Sequence, residues 1–182
     1  SALEYLYQPA IGQLVTPSFL NEAIDRIDEA VNFAINELKH QPEFYDKGMN
    51  YLHKTMAEKV IQQILSYDLD LINKGNQLEI IDLEYHFEGI EFWVDENTTV
   101  YLNGYIDRID KVNGTLRLLD YKTAKTKNLT ISIEDKNRDQ YFFNDDKKQA
   151  MQLCVYQYVV EKLPQFKALD CIETGIWSFA EV

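Results

Sequence analysis

The segment LLDYKT, residues 118–123, ends an apolar run with an acid, one spacer residue and a lysine. Side chains two residues apart on a β-strand point to the same face, so Asp120 and Lys122 would share one face and Tyr121 would point to the other. This pattern can serve metal-dependent phosphodiester hydrolysis, but it is also common on the solvated face of a strand. The residues around the segment must decide between the two interpretations.

A second acid, Asp107, is expected close to Asp120. Asn113-Gly114 is a strong signal for a two-residue hairpin turn, and it separates the strand that carries Asp107 from the strand that carries Asp120. Two carboxylates and a backbone carbonyl, with water in the remaining positions, suit Mg²⁺ or Mn²⁺. Such an ion lowers the pKa of coordinated water and neutralises charge that develops on a phosphate, while a lysine ammonium can position that water.

The spacing of apolar residues predicts the elements that carry these side chains. Residues 1–15 show no clear period and are expected to be a tail or a linker, whereas Thr16 or Ser18 can cap the first helix. Residues 90–94 are expected to pair back onto the first strand after Glu88-Gly89. The predicted helices span residues 16–40, 50–72 and 145–164, and the predicted strands span residues 78–89, 98–112, 115–123 and 170–179. The residues expected to face inward on the second helix are Leu52, Met56, Val60, Ile64 and Leu65.

This order of elements predicts an α/β or α+β core with a central mixed sheet flanked by helices. We expect residues 1–47 to form an N-terminal tail and helical extension, and residues 48–182 to form the core. Because the chain begins Ser1-Ala2 and ends directly after an apolar run, we interpret it as one domain cut from a longer protein.

Composition excludes several classes of protein. A net charge of −12 disfavours a basic module that coats DNA, but it is compatible with an enzyme that gathers carboxylates around metal ions. Cys154 and Cys171 lie far apart, which argues against a disulfide scaffold, a zinc site or an iron–sulfur cluster, and we expect two buried thiols in a reducing, cytoplasmic compartment. No stretch is long and apolar enough to span a membrane.

Three motifs in order resemble the signature of the PD-(D/E)XK nuclease superfamily, and more narrowly its RecB-like branch, which includes the nuclease domains of RecBCD and AddAB helicase–nucleases. They are GYIDRID at 104–110, LLDYKT at 118–123 and QLCVY at 152–156. The resemblance covers roughly residues 48–178, and it implies a restriction-endonuclease-like core. D-x-K alone is a weak motif, but three motifs in the right order with a hairpin between the first two are specific together.

The resemblance also implies roles for individual residues. Asp107 and Asp120 would hold the metal with the Tyr121 carbonyl, and Lys122 would act in catalysis. Gln152 and Tyr156, which match the family's Q-x-x-x-Y helix, would line the site or meet the DNA backbone. The iron–sulfur cluster of some relatives needs four cysteines, so none is expected here.

Other candidate residues keep two interpretations. His53 is a possible metal ligand, although it follows Gly48 by one residue more than the family's pattern, or else a partly exposed helix histidine. Glu84 is a supporting site residue or part of a solvated strand face with Asp82 and His86. Arg108 and Asp110 are expected to brace the hairpin. The residues that could contact DNA, or form a solvated basic loop and a surface helix turn, are Lys125, Lys127 and Gln149. The cluster Tyr141, Phe142 and Phe143 could stack on unpaired bases, but such clusters are more often core.

These observations predict a Mg²⁺- or Mn²⁺-dependent deoxyribonuclease, more an exonuclease than an endonuclease. The resemblance further implies action on DNA ends or single strands fed by a helicase-like domain, in DNA repair or recombination. The alternative is a catalytically inactive nuclease fold that serves as a scaffold or DNA-end-binding module. Retention of both acids and the lysine argues against it, because an inactive site has no need of two adjacent like charges.

Overall fold

The computed structural model describes residues 1–39, 42–126, 129–131, 144–166 and 171–180. Its helices are α1 (Ala2–Tyr7), α2 (Pro17–Asp25), α3 (Ile27–Glu37), α4 (Gly48–Asn73) and α5 (Lys148–Lys162), with short 3-10 turns at Gln8–Ala10, Pro42–Tyr45 and Pro164–Phe166. Its strands are β1 (Leu78–Trp93), β2 (Thr99–Val112), β3 (Thr115–Lys122) and β4 (Ile172–Ser178).

The four strands form one sheet in the order β1-β2-β3-β4. The parallel pairing of β3 with β4 places Asp120 beside Ile176 and Lys122 beside Ser178. β2 and β3 form a hairpin whose two turn residues, Asn113 and Gly114, have φ of 52° and 89°. Positive φ at both central residues is the requirement of a type I′ turn, which explains the Asn-Gly sequence. The mixed sheet flanked by helices confirms the predicted α/β, restriction-endonuclease-like fold class.

The chain divides into two compact units. The helical unit contains residues 1–84 and the turn segment Asp110–Gly114, and the sheet unit contains Tyr85–Ile109 and Thr115–Ala180. The core of the helical unit is apolar and draws on α1 to α4 and on the start of β1. Its fully buried members include Leu6, Tyr7, Leu20, Ala30, Leu65, Leu78 and Ile80.

In the sheet unit, α5 packs against β3 and β4. The residues that α5 buries are Ala150, Leu153, Tyr156, Val159 and Val160. Glycine is needed on β2, because a Cβ on Gly104 would lie 2.9 Å from the ring of Phe87, closer than side-chain atoms pack. The glycine of the GYIDRID motif therefore lets an aromatic ring of β1 pack flat against the strand that carries Asp107.

Several local expectations are wrong. Residues 2–7 form a helix with a capping box between Ser1 and Glu4, although the sequence shows no period there. The first long helix is two helices, because Arg26 leaves helical geometry at φ −104° and ψ 12°. Thr16 caps α2 as predicted, and its hydroxyl accepts a hydrogen bond from the amide of Phe19 at 3.2 Å.

β1 and α4 also differ from expectation. β1 runs on to Trp93, so residues 90–94 do not fold back, and Gly89 takes a φ of 68° within the strand. On α4, Leu52 and Met56 are exposed instead of facing inward, whereas Ile64 and Leu65 are buried as predicted. The two thiols are exposed and not buried, because Leu153 and Tyr156 take the sheet-facing positions beside Cys154, and Cys171 precedes β4.

Candidate active site

The proposed acid pair and lysine lie on adjacent strands of the sheet unit. Asp120 is 2% exposed near the end of β3, and Lys122 follows with its side chain 31% exposed. The Lys122 ammonium donates to Asp120 Oδ1 at 3.1 Å and lies 2.8 Å from Oδ2. The same-face orientation predicted from the spacing of two is therefore observed, and it forms an ion pair with one buried and one accessible partner.

Helix α5 fixes the other side of the Asp120 carboxylate. Gln152 Nε2 donates to Asp120 Oδ1 at 2.8 Å, and the Tyr156 hydroxyl donates to the same oxygen at 3.2 Å. Gln152 Nε2 also lies at hydrogen-bond distance, 2.7 Å, from the Tyr156 hydroxyl oxygen. Because Gln152 and Tyr156 are one helical turn apart, α5 presents both on one face.

The two oxygens of Asp120 are thus unequal. Oδ1 accepts from three side chains, whereas Oδ2 is buried and accepts no hydrogen bond of good geometry from the described residues. The Lys122 ammonium is close enough to Oδ2 for an ion contact, but it does not lie in a hydrogen-bonding direction. A buried carboxylate oxygen with spare acceptor capacity is what a hard cation or a water molecule would fill.

Asp107 is held by the backbone of the neighbouring strand. Its Oδ2 accepts the amide N–H of Tyr121 at 2.7 Å, which fixes one carboxylate oxygen beside the Asp120-Tyr121 peptide. The Tyr121 ring points to the opposite face, where it meets Trp177 and Phe179 at centroid distances of 5.8 and 6.2 Å. The backbone that carries Asp120 is therefore anchored from behind.

The negative charges of both carboxylates act on the Tyr156 hydroxyl. Burial raises the pKa of the Tyr156 hydroxyl above its ordinary value of 10.0, and the negative charges of Asp120 and Asp107 raise it further. A hydrogen bond from Gln152 acts in the opposite direction. The hydroxyl therefore remains a proton donor at any physiological pH, which suits it to hold Asp120 and not to act as a base.

Two carboxylates and one backbone carbonyl are the donors that the site offers to a divalent metal. No group of three or more His, Cys, Asp or Glu side chains that could hold an ion occurs among the described residues. Mg²⁺ is commonly bound through one or two carboxylates and completes its shell with water and substrate phosphate, so Asp107, Asp120 and the Tyr121 carbonyl would suffice. The observation in favour of this donor set is that Asp120 Oδ2 accepts no hydrogen bond from the described residues.

The remaining candidates fall into three groups. His53 lies on α4 and Glu84 on β1, both exposed and both in the helical unit, and their site roles stay predictions. Glu84 adopts a φ of 54°, unusual for a residue other than glycine. Lys125 is exposed and Gln149 is half-buried at the start of α5. Lys127 and the cluster Tyr141, Phe142 and Phe143 lie outside the described residues.

Arg108 and Asp110 are both fully buried, and their bracing of the hairpin stays a prediction. The Arg108 guanidinium lies over the Trp177 ring at 5.2 Å. Sequence reasoning overlooked two other features of the sheet unit. Ser178 and Phe179 tether the segment after Lys122 by donating to the carbonyls of Ala124 and Lys122 at 2.9 and 2.8 Å. The second feature is the stacking of the Tyr105 and His86 rings. The sequence could have indicated it, because Tyr105 precedes Asp107 by two residues and so shares its face of β2.

A comparison with protein families identifies the class of protein that this fold and site define. The model of the PD-(D/E)XK nuclease superfamily matches residues 1–179, so the chain belongs to that superfamily. Members of this superfamily are in general nucleases that use divalent metals. Comparison with curated proteins and with solved structures gives no match. None of the described helices is long and apolar enough to cross a membrane.

Proposed function

We propose that the chain is a Mg²⁺- or Mn²⁺-dependent deoxyribonuclease of the RecB-like branch. The observation that carries the proposal is the Asp120 carboxylate. It is buried, it is held at Oδ1 by Gln152 and Tyr156, and its Oδ2 accepts no hydrogen bond from the described residues beside the partly exposed side chain of Lys122. Keeping a charged carboxylate buried costs stability unless the charge is compensated. A buried carboxylate oxygen that lacks a hydrogen bond, as Asp120 Oδ2 does, is expected where a bound ligand supplies the missing contact.

Each side chain has a role that follows from its contacts. When bound, a divalent ion would supply Lewis-acid stabilisation of the phosphate and lower the pKa of a water. Asp107 and Asp120 would hold that ion, and the Tyr121 amide keeps Asp107 oriented. The Lys122 ammonium would orient the attacking water and offset negative charge that develops on the phosphate oxygens. Gln152 and Tyr156 would fix the direction of Asp120 through two uncharged donors.

The substrate proposed is a DNA end or single strand, cut by an exonuclease mode of action in DNA repair or recombination. A net charge of −12 gives the chain little long-range attraction for a polyanion. We therefore propose that a helicase-like domain, in the same chain or complex, delivers the strand in the cytoplasm. His53 as a further ligand, Glu84 as a supporting acid, and Lys125, Lys127 and Gln149 as DNA contacts belong to the same proposal.

The test is a cleavage assay on labelled linear duplex, single-stranded DNA and RNA, with Mg²⁺, Mn²⁺ or EDTA. The proposal expects metal-dependent cutting of DNA that Lys122→Ala abolishes. Lys54→Ala is the matched control, because Lys54 is also a half-buried lysine that pairs with a carboxylate, the exposed Asp28 at 3.0 Å, in the helical unit. Cutting that survives Lys122→Ala, or that RNA supports better than DNA, would overturn the assignment. A folded protein that binds metal and DNA but cuts none of the three substrates would favour the inactive scaffold.

A further inference from the structure

A pair of exposed aromatic rings lies directly beside the candidate active site. Tyr105 on β2 is 57% exposed and precedes Asp107 by two residues, so the two side chains point to the same face of the strand. The burial pattern agrees, since Ile106 and Arg108 on the other face are fully buried while Asp107 is half-buried. Two strand residues span about 6.6 Å, so the Cα atoms of Tyr105 and Asp107 are neighbours on one face of β2.

His86 on β1 extends this surface. Its ring stacks on Tyr105 with the centroids 4.6 Å apart and the planes inclined by 29°. His86 is itself exposed, so both rings of the stack present aromatic surface to solvent. We call Tyr105 and His86 the ring pair. Other rings of the sheet unit serve packing instead, as where Phe92 meets Tyr158 of α5 edge to face at 5.2 Å.

We propose that the ring pair is a stacking platform for one unpaired base next to the phosphate that is cut. The inference rests on the proposed nuclease function and specifies its substrate as single-stranded or frayed DNA. Exposed aromatic faces bind unpaired bases without sequence preference, and each such contact contributes substantially to affinity. A base in a duplex is already paired and stacked, so the platform discriminates against intact double strands.

Charge limits the platform to the immediate neighbourhood of the site. The segment from residue 85 to residue 106 contains no lysine or arginine, and it carries four carboxylates. These are Glu88, Glu91, Asp95 and Glu96. DNA phosphates further along β1 and β2 would be repelled by these carboxylates. Contact with the DNA strand is therefore confined to the ring pair and the neighbouring Asp107 and Lys122.

The experiment measures binding of a fluorescein-labelled twelve-nucleotide oligothymidylate by fluorescence anisotropy in EDTA, so that it requires neither metal nor cleavage. Tyr105→Ala is expected to weaken binding of the single strand at least fivefold, whereas Tyr105→Phe retains it. Binding of a blunt duplex of the same length is expected to change less than twofold. The matched control is Tyr101→Ala, because Tyr101 is 62% exposed on the same strand but lies further from Asp107.

A second arm protects the test against a variant that folds poorly. Oligonucleotides with one abasic site, moved along the strand, should show one position where the missing base weakens binding to the wild type. That penalty should disappear in Tyr105→Ala. An equal abasic penalty in both proteins, or equal loss of binding in Tyr105→Ala and Tyr101→Ala, would overturn the platform, as would a wild type that binds no single strand.

These outcomes separate the platform from the nuclease function itself. If Asp107→Asn abolishes cleavage while Tyr105→Ala binds and cuts every substrate like the wild type, the nuclease assignment stands and the platform is wrong. If Tyr105→Ala loses single-strand binding but the wild type cuts no DNA with any metal, the platform stands as a binding site and the nuclease assignment is wrong.

Discussion

Two buried carboxylates, one in each unit, are both hydrogen-bonded by a tyrosine hydroxyl, yet they differ in what surrounds them. In the helical unit, Asp68 on α4 accepts from Tyr7 of α1, and both side chains are 0% exposed. In the sheet unit, Asp120 accepts from Tyr156 of α5, but Lys122 beside it is 31% exposed. Both carboxylates are buried, but the second forms an ion pair with a lysine whose side chain is partly exposed to solvent.

The same hydrogen bond, from a tyrosine hydroxyl to a buried carboxylate, therefore occurs in two different surroundings. A tyrosine that caps a buried carboxylate satisfies part of its hydrogen-bonding capacity and joins two helices in the first case. In the second case the same contact leaves Asp120 Oδ2 without a hydrogen bond from the described residues. We expect Asp68 to stabilise the fold, whereas Asp120, whose Oδ2 lacks a hydrogen bond from the described residues beside a partly exposed lysine, is placed to bind a ligand. Mutations at the two positions should therefore affect different measurements.

The largest effect is expected from Asp120→Asn. Loss of the charge removes a proposed metal ligand and the partner of Lys122, while the amide keeps the shape and the acceptor for Gln152. We expect cleavage to fall by about 10³-fold or more, with the thermal midpoint changed little. Asp28→Asn, at the surface ion pair of the helical unit, is the control that should leave cleavage unchanged. Equal loss in both variants would show that the effect is not specific to the site.

Asp68→Ala should produce the opposite pattern. The variant leaves the buried Tyr7 hydroxyl without its carboxylate, so the free energy of unfolding should fall by about 3 kcal/mol, near the upper end for an orphaned buried group. Urea denaturation measures this loss. Specific activity per folded molecule should stay within a factor of two of the wild type. A large loss of activity without loss of stability would mean that the two carboxylates do not differ as described.

Gln152→Ala tests whether α5 orients the open carboxylate. Removing the donor at 2.8 Å from Asp120 Oδ1 loosens the carboxylate, and the loss of a group that orients a metal ligand costs about tenfold in activity or metal affinity. Gln157→Ala is the matched control, since Gln157 lies on the same helix and its side chain donates to the exposed Glu161 carboxylate at 3.0 Å. Steady-state cleavage rates and Mn²⁺ affinity should both show the difference.

A third carboxylate, at the surface, should give the smallest effect. Hydrogen bonds from Arg26 and then Tyr5 lower the pKa of Glu29 from 4.5 to about 2. A depressed folded pKa contributes stability that is present above pH 4.5 and is lost as the pH falls towards 2. Glu29→Gln should therefore flatten the acid limb of the thermal midpoint between these values. The change should shrink in 1 M salt, because exposed ion pairs are screened.

The placement of the Asp107, Asp120 and Lys122 side chains could be predicted from the sequence better than the elements around them, and their roles in chemistry stay predictions. The alternation of side chains on a strand and the Asn-Gly turn are local rules, so the approach of Asp107 to the Asp120 strand and the Asp120–Lys122 contact follow from spacing alone. That Gln152 and Tyr156 line the site was implied only by the family motif, and their contact with Asp120 was not predicted, because helix docking is a long-range event. The specific hydrogen bonds of α5 could not be derived from periodicity.

The wrong predictions of secondary structure and burial also arise where long-range packing overrides local sequence rules. Helix α1 has only 6 residues, too few for an apolar period, and its burial comes from packing within the helical unit. Gly89 looks like a turn, but its amide donates to Asn103 Oδ1 at 2.7 Å and the strand continues. The apolar residues Leu52 and Met56 fit a helical stripe, yet they are 50% and 41% exposed, since the pattern does not say how far along α4 the core extends.

The most direct test of the central claim is Mn²⁺ titration by calorimetry, wild type against Asp107→Ala, with cleavage of labelled single-stranded DNA in the same buffer. We expect the wild type to bind the ion and cut the strand, and Asp107→Ala to do neither while unfolding at nearly the same temperature. Equal Mn²⁺ affinity and equal cleavage in the two proteins would contradict the claim that Asp107 and Asp120 together form a metal-dependent active site.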